Sequence, residues 1–106
     1  MSEEDALQEL MLEYKKSIPE KLRVLEKLIA DVHAKGDLAS VSALRFAVHK
    51  LAGSAGSYGF TEVSELCLPL DKDLHQKMES FQPLEKNWHI TLDQIFEKVK
   101  AAFAKK

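Results

Sequence analysis

The stretch that decides how this chain folds is Val48 to Phe60, VHKLAGSAGSYGF. Small residues crowd behind a single histidine, His49: Gly53, Ser54, Gly56, Ser57 and Gly59. Such a run is a phosphate-cradling loop, a flexible linker, or a helix with one side pared down. The apolar residues choose among these. Val41, Leu44, Val48, Leu51 and Ala55 recur at helical spacing, and the stripe passes through the glycines in register. No strand pattern precedes the run, and the G-x-x-x-x-G-K-[ST] phosphate loop is absent. The segment therefore reads as helix. An interior glycine costs roughly 1 kcal/mol relative to alanine, so Gly53 and Gly56 imply close approach to that surface or close helix packing beside it. At 100° per residue, His49 lies about 110° from the centre of the apolar stripe, on the shoulder of the helix.

The same periodicity extends outward through the chain. Ser2 is a candidate N-cap for a stripe of Leu7, Leu10, Met11 and Tyr14. Pro19 marks either a kink or a fresh helix start. Leu22, Leu25, Leu28, Ile29 and Val32 lead to a stop at Gly36. Asp37 caps the glycine-bearing helix, which ends near Gly59. Thr61 caps the next helix, bearing Val63, Leu66, Cys67, Leu70, Leu74 and Met78, with a bend expected at Pro69. Pro83 opens the last, with Trp88, Leu92, Ile95, Phe96, Val99 and Phe103 apolar. The fold class is all-α, an up-and-down four-helix bundle, with residues before Pro19 as a short additional N-terminal helix if the chain restarts there. Residues 1–106 are expected to form a single domain.

If the chain reverses near Phe60, a helical hairpin sets His49 level with Asp71 of the following helix. A carboxylate against one ring nitrogen fixes the tautomer and leaves the other as a nucleophile.

These residues resemble the histidine-containing phosphotransfer (HPt) domain family. The resemblance rests on H-x-x-x-G-S-x-x-x-x-G between two apolar helices, with Gly36-Asp37-Leu38 as the joint before the active helix and LAGSAGSYGF as its second half. It implies a helical bundle that relays phosphoryl groups in two-component signalling. His49 is then the phosphoacceptor, through the nitrogen away from the backbone, and Gly53 keeps space for the phosphoryl group. Asp71 stands where relatives often carry a polar residue bonded to the histidine. Many relatives carry a lysine three residues after the histidine; here that position is Ala52. Arg45, one turn earlier, and Lys50, pointing further round the helix, are the nearby basic side chains, and Arg45 is better placed to reach phosphate. Phe46, Gly56, Tyr58 and Leu68 are candidates for partner docking, with ordinary helix packing as the competing reading for Phe46, Tyr58 and Leu68.

The expected partners are response-regulator receiver domains and a hybrid histidine kinase. Phosphoryl transfer needs in-line positioning and charge stabilisation. The chain offers no carboxylate cluster for magnesium, so the ion is expected on the receiver, with no cofactor of the chain's own and no independent catalysis. The alternative is a docking module that binds and regulates a receiver or kinase without transfer.

Composition agrees with this class. Apolar residues make up 45% and charged residues 30%, a globular balance. A net charge of −2 gives no electrostatic attraction to nucleic acid. Acidic residues gather at the start (Glu3, Glu4, Asp5) and basic ones at the end (Lys98, Lys100, Lys105, Lys106), as solvated helix ends. Cys67 is the one cysteine, which excludes an internal disulfide and reads as a small core residue. His33, His75 and His89 lack metal-ligand spacing, so no metal site is expected. The acidic N-terminus is unlike a signal peptide and no apolar run approaches a membrane span. A cytoplasmic monomer is expected.

Overall fold

The computed structural model describes residues 2–80 and 83–105; Lys106, one of the basic terminal residues, lies outside them. Local signals set the helix ends. The Ser2 hydroxyl accepts from the Asp5 N–H while the Asp5 carboxylate accepts from the Ser2 N–H, a capping box that starts α1 (Glu3–Lys35). The helix stops at Gly36, whose φ of 57° lies in the left-handed region that suits glycine. Asp37 then accepts from the Ser40 N–H at 2.9 Å and caps α2 (Leu38–Ser57). Gly59, φ 83°, reverses the chain into α3 (Thr61–Ser80). After Pro83 and Leu84, Glu85 leads into α4 (Lys86–Ala104).

Each helix packs on its successor and α4 closes against α1, while among the described residues the backbones of the diagonal pairs stay apart. That is an up-and-down four-helix bundle. Its core includes Val32, Leu44, Val48, Val63, Leu74 and Leu92, all essentially removed from solvent. Each such side chain contributes about 1.5–3 kcal/mol of apolar burial.

Two prolines behave differently from expectation. Pro19 neither restarts nor ends a helix: α1 is one continuous element, so there is no separate N-terminal helix. Pro69 sits inside α3, where the sequence places it. Pro19 and Pro69, and the residues four positions before them, Lys15 and Glu65, are exposed, so each orphaned carbonyl faces water. Pro83 precedes α4 by three residues and does not open it. Thr61 is already helical and does not act as a cap; the Ser64 N–H bonds to the Phe60 carbonyl instead.

The first apolar stripe is also only half used. Tyr14 is buried, but Leu7 and Leu10 remain 65% and 47% exposed, because α1 runs past the point where the α2–α3 hairpin turns. An aromatic group closes the bundle at that level. Tyr14 stacks on Tyr58 at 4.3 Å between ring centroids, and Phe60 meets Phe103 edge-on at 5.1 Å.

Candidate functional site

The site lies on the α2–α3 seam. Val48 and Leu51 fix the rotation of α2 by entering the core, which leaves His49 between them on the outer shoulder with its side chain 63% exposed. Val63, Cys67, Leu70 and Leu74 do the same for α3 and turn Asp71 toward α2. The hairpin register expected from the sequence holds: Gly56 meets Ser64, and His49 meets Asp71.

The His49 Nδ1 lies 2.8 Å from one Asp71 oxygen, and the Arg45 Nε donates to the other, also at 2.8 Å. Burial by itself pushes the Asp71 carboxyl up. The hydrogen bonds from His49 and Arg45 and the Arg45 charge outweigh it and hold the group below the usual carboxylate range. An ionised carboxylate only accepts hydrogen bonds, so the His49 proton resides on Nδ1. The Nε2 lone pair then points away from the seam, and among the described residues no hydrogen bond reaches it.

Beside the imidazole is a shallow surface depression lined by Ala52, Gly53, Gly56, Ser57, Ser64 and Leu68. Its two glycines have different reasons to be there. A Cβ built on Gly53 meets nothing within 4 Å, so this glycine is not needed for helix packing. A Cβ on Gly56 comes within 3.3 Å of the Ser64 hydroxyl, so Gly56 lets α2 and α3 approach. Ala52 is buried, and the position is spent on packing.

The remaining candidates divide. Phe46 and Leu68 are 63% and 56% exposed on either side of His49, as docking contacts require. The Lys50 ammonium sits 5.0 Å from the centroid of the Phe46 ring, and Lys50 does not line the depression. Arg45, expected to reach toward phosphate, is instead paired with Asp71, because the carboxylate is the nearest acceptor one turn below the histidine. Tyr58, expected among the exposed contacts, is half-buried against Tyr14, beyond the end of α2. Gly56 lines the depression but its lack of a side chain serves the helix seam.

Cys67 lies directly beneath Asp71, fully buried, and burial together with the Asp71 charge pushes its thiol up to about 12. It is an inert core residue. His75 pairs with Glu79 one turn on, at 3.0 Å.

A second imidazole cluster, without a signal in the sequence, lies on the α1–α4 seam. The His33 Nε2 lies 2.7 Å from Asp93, and the His33 and His89 Nδ1 atoms are 2.6 Å apart. His33 is on α1 while His89 and Asp93 are one turn apart on α4, and no local motif links the two helices. Among the described residues no group of three or more histidine, cysteine, aspartate or glutamate side chains is arranged to hold a metal ion.

A helical bundle that displays one imidazole on an outer seam, anchored by a carboxylate and bordered by a glycine with open space above it, belongs to the class of histidine-presenting helical domains. The family model for the Hpt domain matches residues 9–102, and the chain belongs to that family. Membership implies the role of a phosphotransfer carrier in two-component signalling. Neither the curated proteins nor the solved structures contain a significant match to the chain. No helix among the described residues is long and apolar enough to cross a membrane.

Proposed function

We propose that the chain is a phosphorelay carrier whose His49 exchanges a phosphoryl group with the aspartate of response-regulator receiver domains. The observation that carries this reading is the exposed imidazole with Nδ1 held by the Asp71 carboxylate at 2.8 Å. In the forward step the Nε2 lone pair attacks phosphorus in the receiver's acyl phosphate, an N–P bond forms, and the P–O bond to the aspartate breaks. The proton stays on Nδ1, so the product ring is an imidazolium, and the Asp71 carboxylate balances the charge that appears. The reverse step returns the group to a receiver or to a hybrid histidine kinase's own receiver. Magnesium and the groups that steady the transferring phosphoryl come from the receiver, so this chain has no cofactor of its own.

Open space above Gly53 admits the phosphoryl group and the incoming aspartate. Phe46 and Leu68 flank it as apolar contacts for the receiver, with Gly56 in the floor of the depression and the Lys50 ammonium over the Phe46 ring. Tyr58 supports the end of the docking face through its stack on Tyr14. In this reading residues 1–106 act as one cytoplasmic domain, monomeric, with neither nucleic acid nor membrane as partner.

The test is to mix wild type and His49→Gln with a panel of receivers carrying labelled phosphoaspartate and magnesium. Acid-labile, base-stable label on wild type and none on the variant is the expected result. Binding without any transfer would overturn the relay reading and leave a regulatory docking module.

A further inference from the structure

The Asp71 carboxylate takes hydrogen bonds from both His49 and Arg45, and that sharing has a chemical consequence for the phosphorylated state. Hydrolysis of a phosphohistidine breaks the N–P bond with its electron pair moving onto Nε2, while water adds to phosphorus. When Nδ1 carries a proton the leaving group is neutral imidazole; when it does not, the leaving group is imidazolate, and departure is far slower. The lifetime of the carrier therefore depends on how firmly the proton is held on Nδ1. One Asp71 oxygen faces that atom, and the other receives the Arg45 Nε at the same distance, 2.8 Å.

We propose that Arg45 is a positioning residue that sets the lifetime of phosphorylated His49 through Asp71, by drawing off part of the negative charge that holds the Nδ1 proton. The proposal rests on the carrier reading of His49. Opposing effects are built into one carboxylate: Asp71 retains the Nδ1 proton and promotes release, and Arg45 weakens that hold. Arg45 has side-chain exposure of 36% and Asp71 of 14%, so the pair is partly shielded and the charge is only incompletely screened by solvent.

The other charged or titratable groups around the seam are already engaged or lie elsewhere on it. On α2, Lys50 sits over Phe46. On α3, His75 pairs with Glu79, Cys67 is a buried neutral thiol behind Asp71, and Lys72 follows Asp71 on the exposed side. Arg45 is thus the cation whose hydrogen bond to Asp71 is direct.

The experiment uses the full chain phosphorylated with phosphoramidate, a small donor that needs no receiver, and follows loss of phosphohistidine by phosphorus NMR as a function of pH. Asp71→Asn is expected to move the pH midpoint of hydrolysis down and lengthen the lifetime at mildly alkaline pH. Arg45→Gln is expected to move it up and shorten that lifetime, each by about half to one pH unit. Arg45→Lys, which restores a cation, should return most of the way to wild type. In the Asp71→Asn background, Arg45→Gln should do nothing further, since its route is gone.

Structural damage would shift both single variants in the same direction, and that result overturns the proposal. So does an Arg45→Gln effect that survives in the Asp71→Asn background, which would mean that Arg45 touches phosphate directly. A wild type that takes up no phosphoryl group at His49 contradicts the carrier reading itself. Normal uptake with unmoved midpoints contradicts only the role of Arg45. Circular dichroism of each variant checks the bundle, and Arg45→Met replaces Arg45→Gln should the latter unfold.

Discussion

Two helix seams in this molecule each hold an imidazole against an aspartate, and only one leaves that imidazole open to chemistry. On the α2–α3 seam, His49 gives Nδ1 to Asp71 and turns Nε2 outward, with 63% of its side chain exposed. On the α1–α4 seam, His33 gives Nε2 to Asp93 and Nδ1 to His89, and its side chain is 30% exposed. The residue types are the same. What differs is whether the second ring nitrogen is consumed by a neighbour, and whether a glycine clears the ground beside it. A histidine and a carboxylate therefore make a candidate nucleophile only when the fold withholds a third partner.

The largest expected effect breaks that comparison outright. His49→Gln should abolish phosphoryl uptake, while His33→Gln and His89→Gln should leave it near wild type, as read by label retained on each purified variant. Label lost from the α1–α4 variants would mean that the two seams are not chemically distinct. Next in size is the carboxylate. Asp71→Asn should slow transfer from a phosphorylated receiver roughly tenfold to a hundredfold, in line with the loss of carboxylate partners that orient other functional imidazoles. Asp93→Asn should leave the rate unchanged in the same rapid-mixing assay.

The glycines sharpen the contrast on a smaller scale. Gly53→Ala meets open space in a helix interior, so it should stabilise the fold by about 0.5–1 kcal/mol while slowing transfer, because the added methyl stands beside His49. Gly56→Ala should gain less or lose, because Ser64 must yield. Urea midpoints of the two variants decide this.

The smallest effect is in pH. Burial, and then the neighbouring His33, push the His89 imidazole below the usual histidine value, so the folded state favours its neutral form. The unfolded chain takes up that proton at higher pH than the folded one. Stability should therefore decline as pH falls below the usual histidine value toward the lowered one, and His89→Gln should flatten that part of the curve. Asp71 has the opposite chemistry but the same sign. Its folded value lies below the ordinary one, so its contribution is complete above the carboxylate range and vanishes as pH falls through the lowered value. Urea midpoints between neutral pH and pH about 3 would show the two declines separately.

Much of the fold and of the site is legible in the sequence. Glycine and cap signals at Gly36, Asp37 and Gly59 bound α2 because positive φ and side-chain capping are local properties, readable from a few residues. The level pairing of His49 with Asp71 followed from a short hairpin whose register leaves little freedom. Pro19 is less legible. There the lost hydrogen bond costs little because the turn is exposed, and exposure of a particular turn depends on packing that no local pattern reveals. The Arg45 pairing is hidden for a similar reason: helical geometry places Arg45 one turn from His49, but only the facing helix shows that Asp71 lies within its reach. In the His33–His89–Asp93 cluster, His33 meets residues 56 and 60 positions away, a pairing with no local sequence signal.

The central claim is that the phosphoryl group sits on His49 Nε2 while Nδ1 keeps its proton against Asp71. The direct measurement is nitrogen-15 and phosphorus NMR of the uniformly labelled protein after phosphorylation by a receiver. A phosphorus coupling to Nε2 of His49, with Nδ1 still protonated, is the predicted result. Phosphorus on Nδ1, or on His33, His75 or His89, would contradict the account.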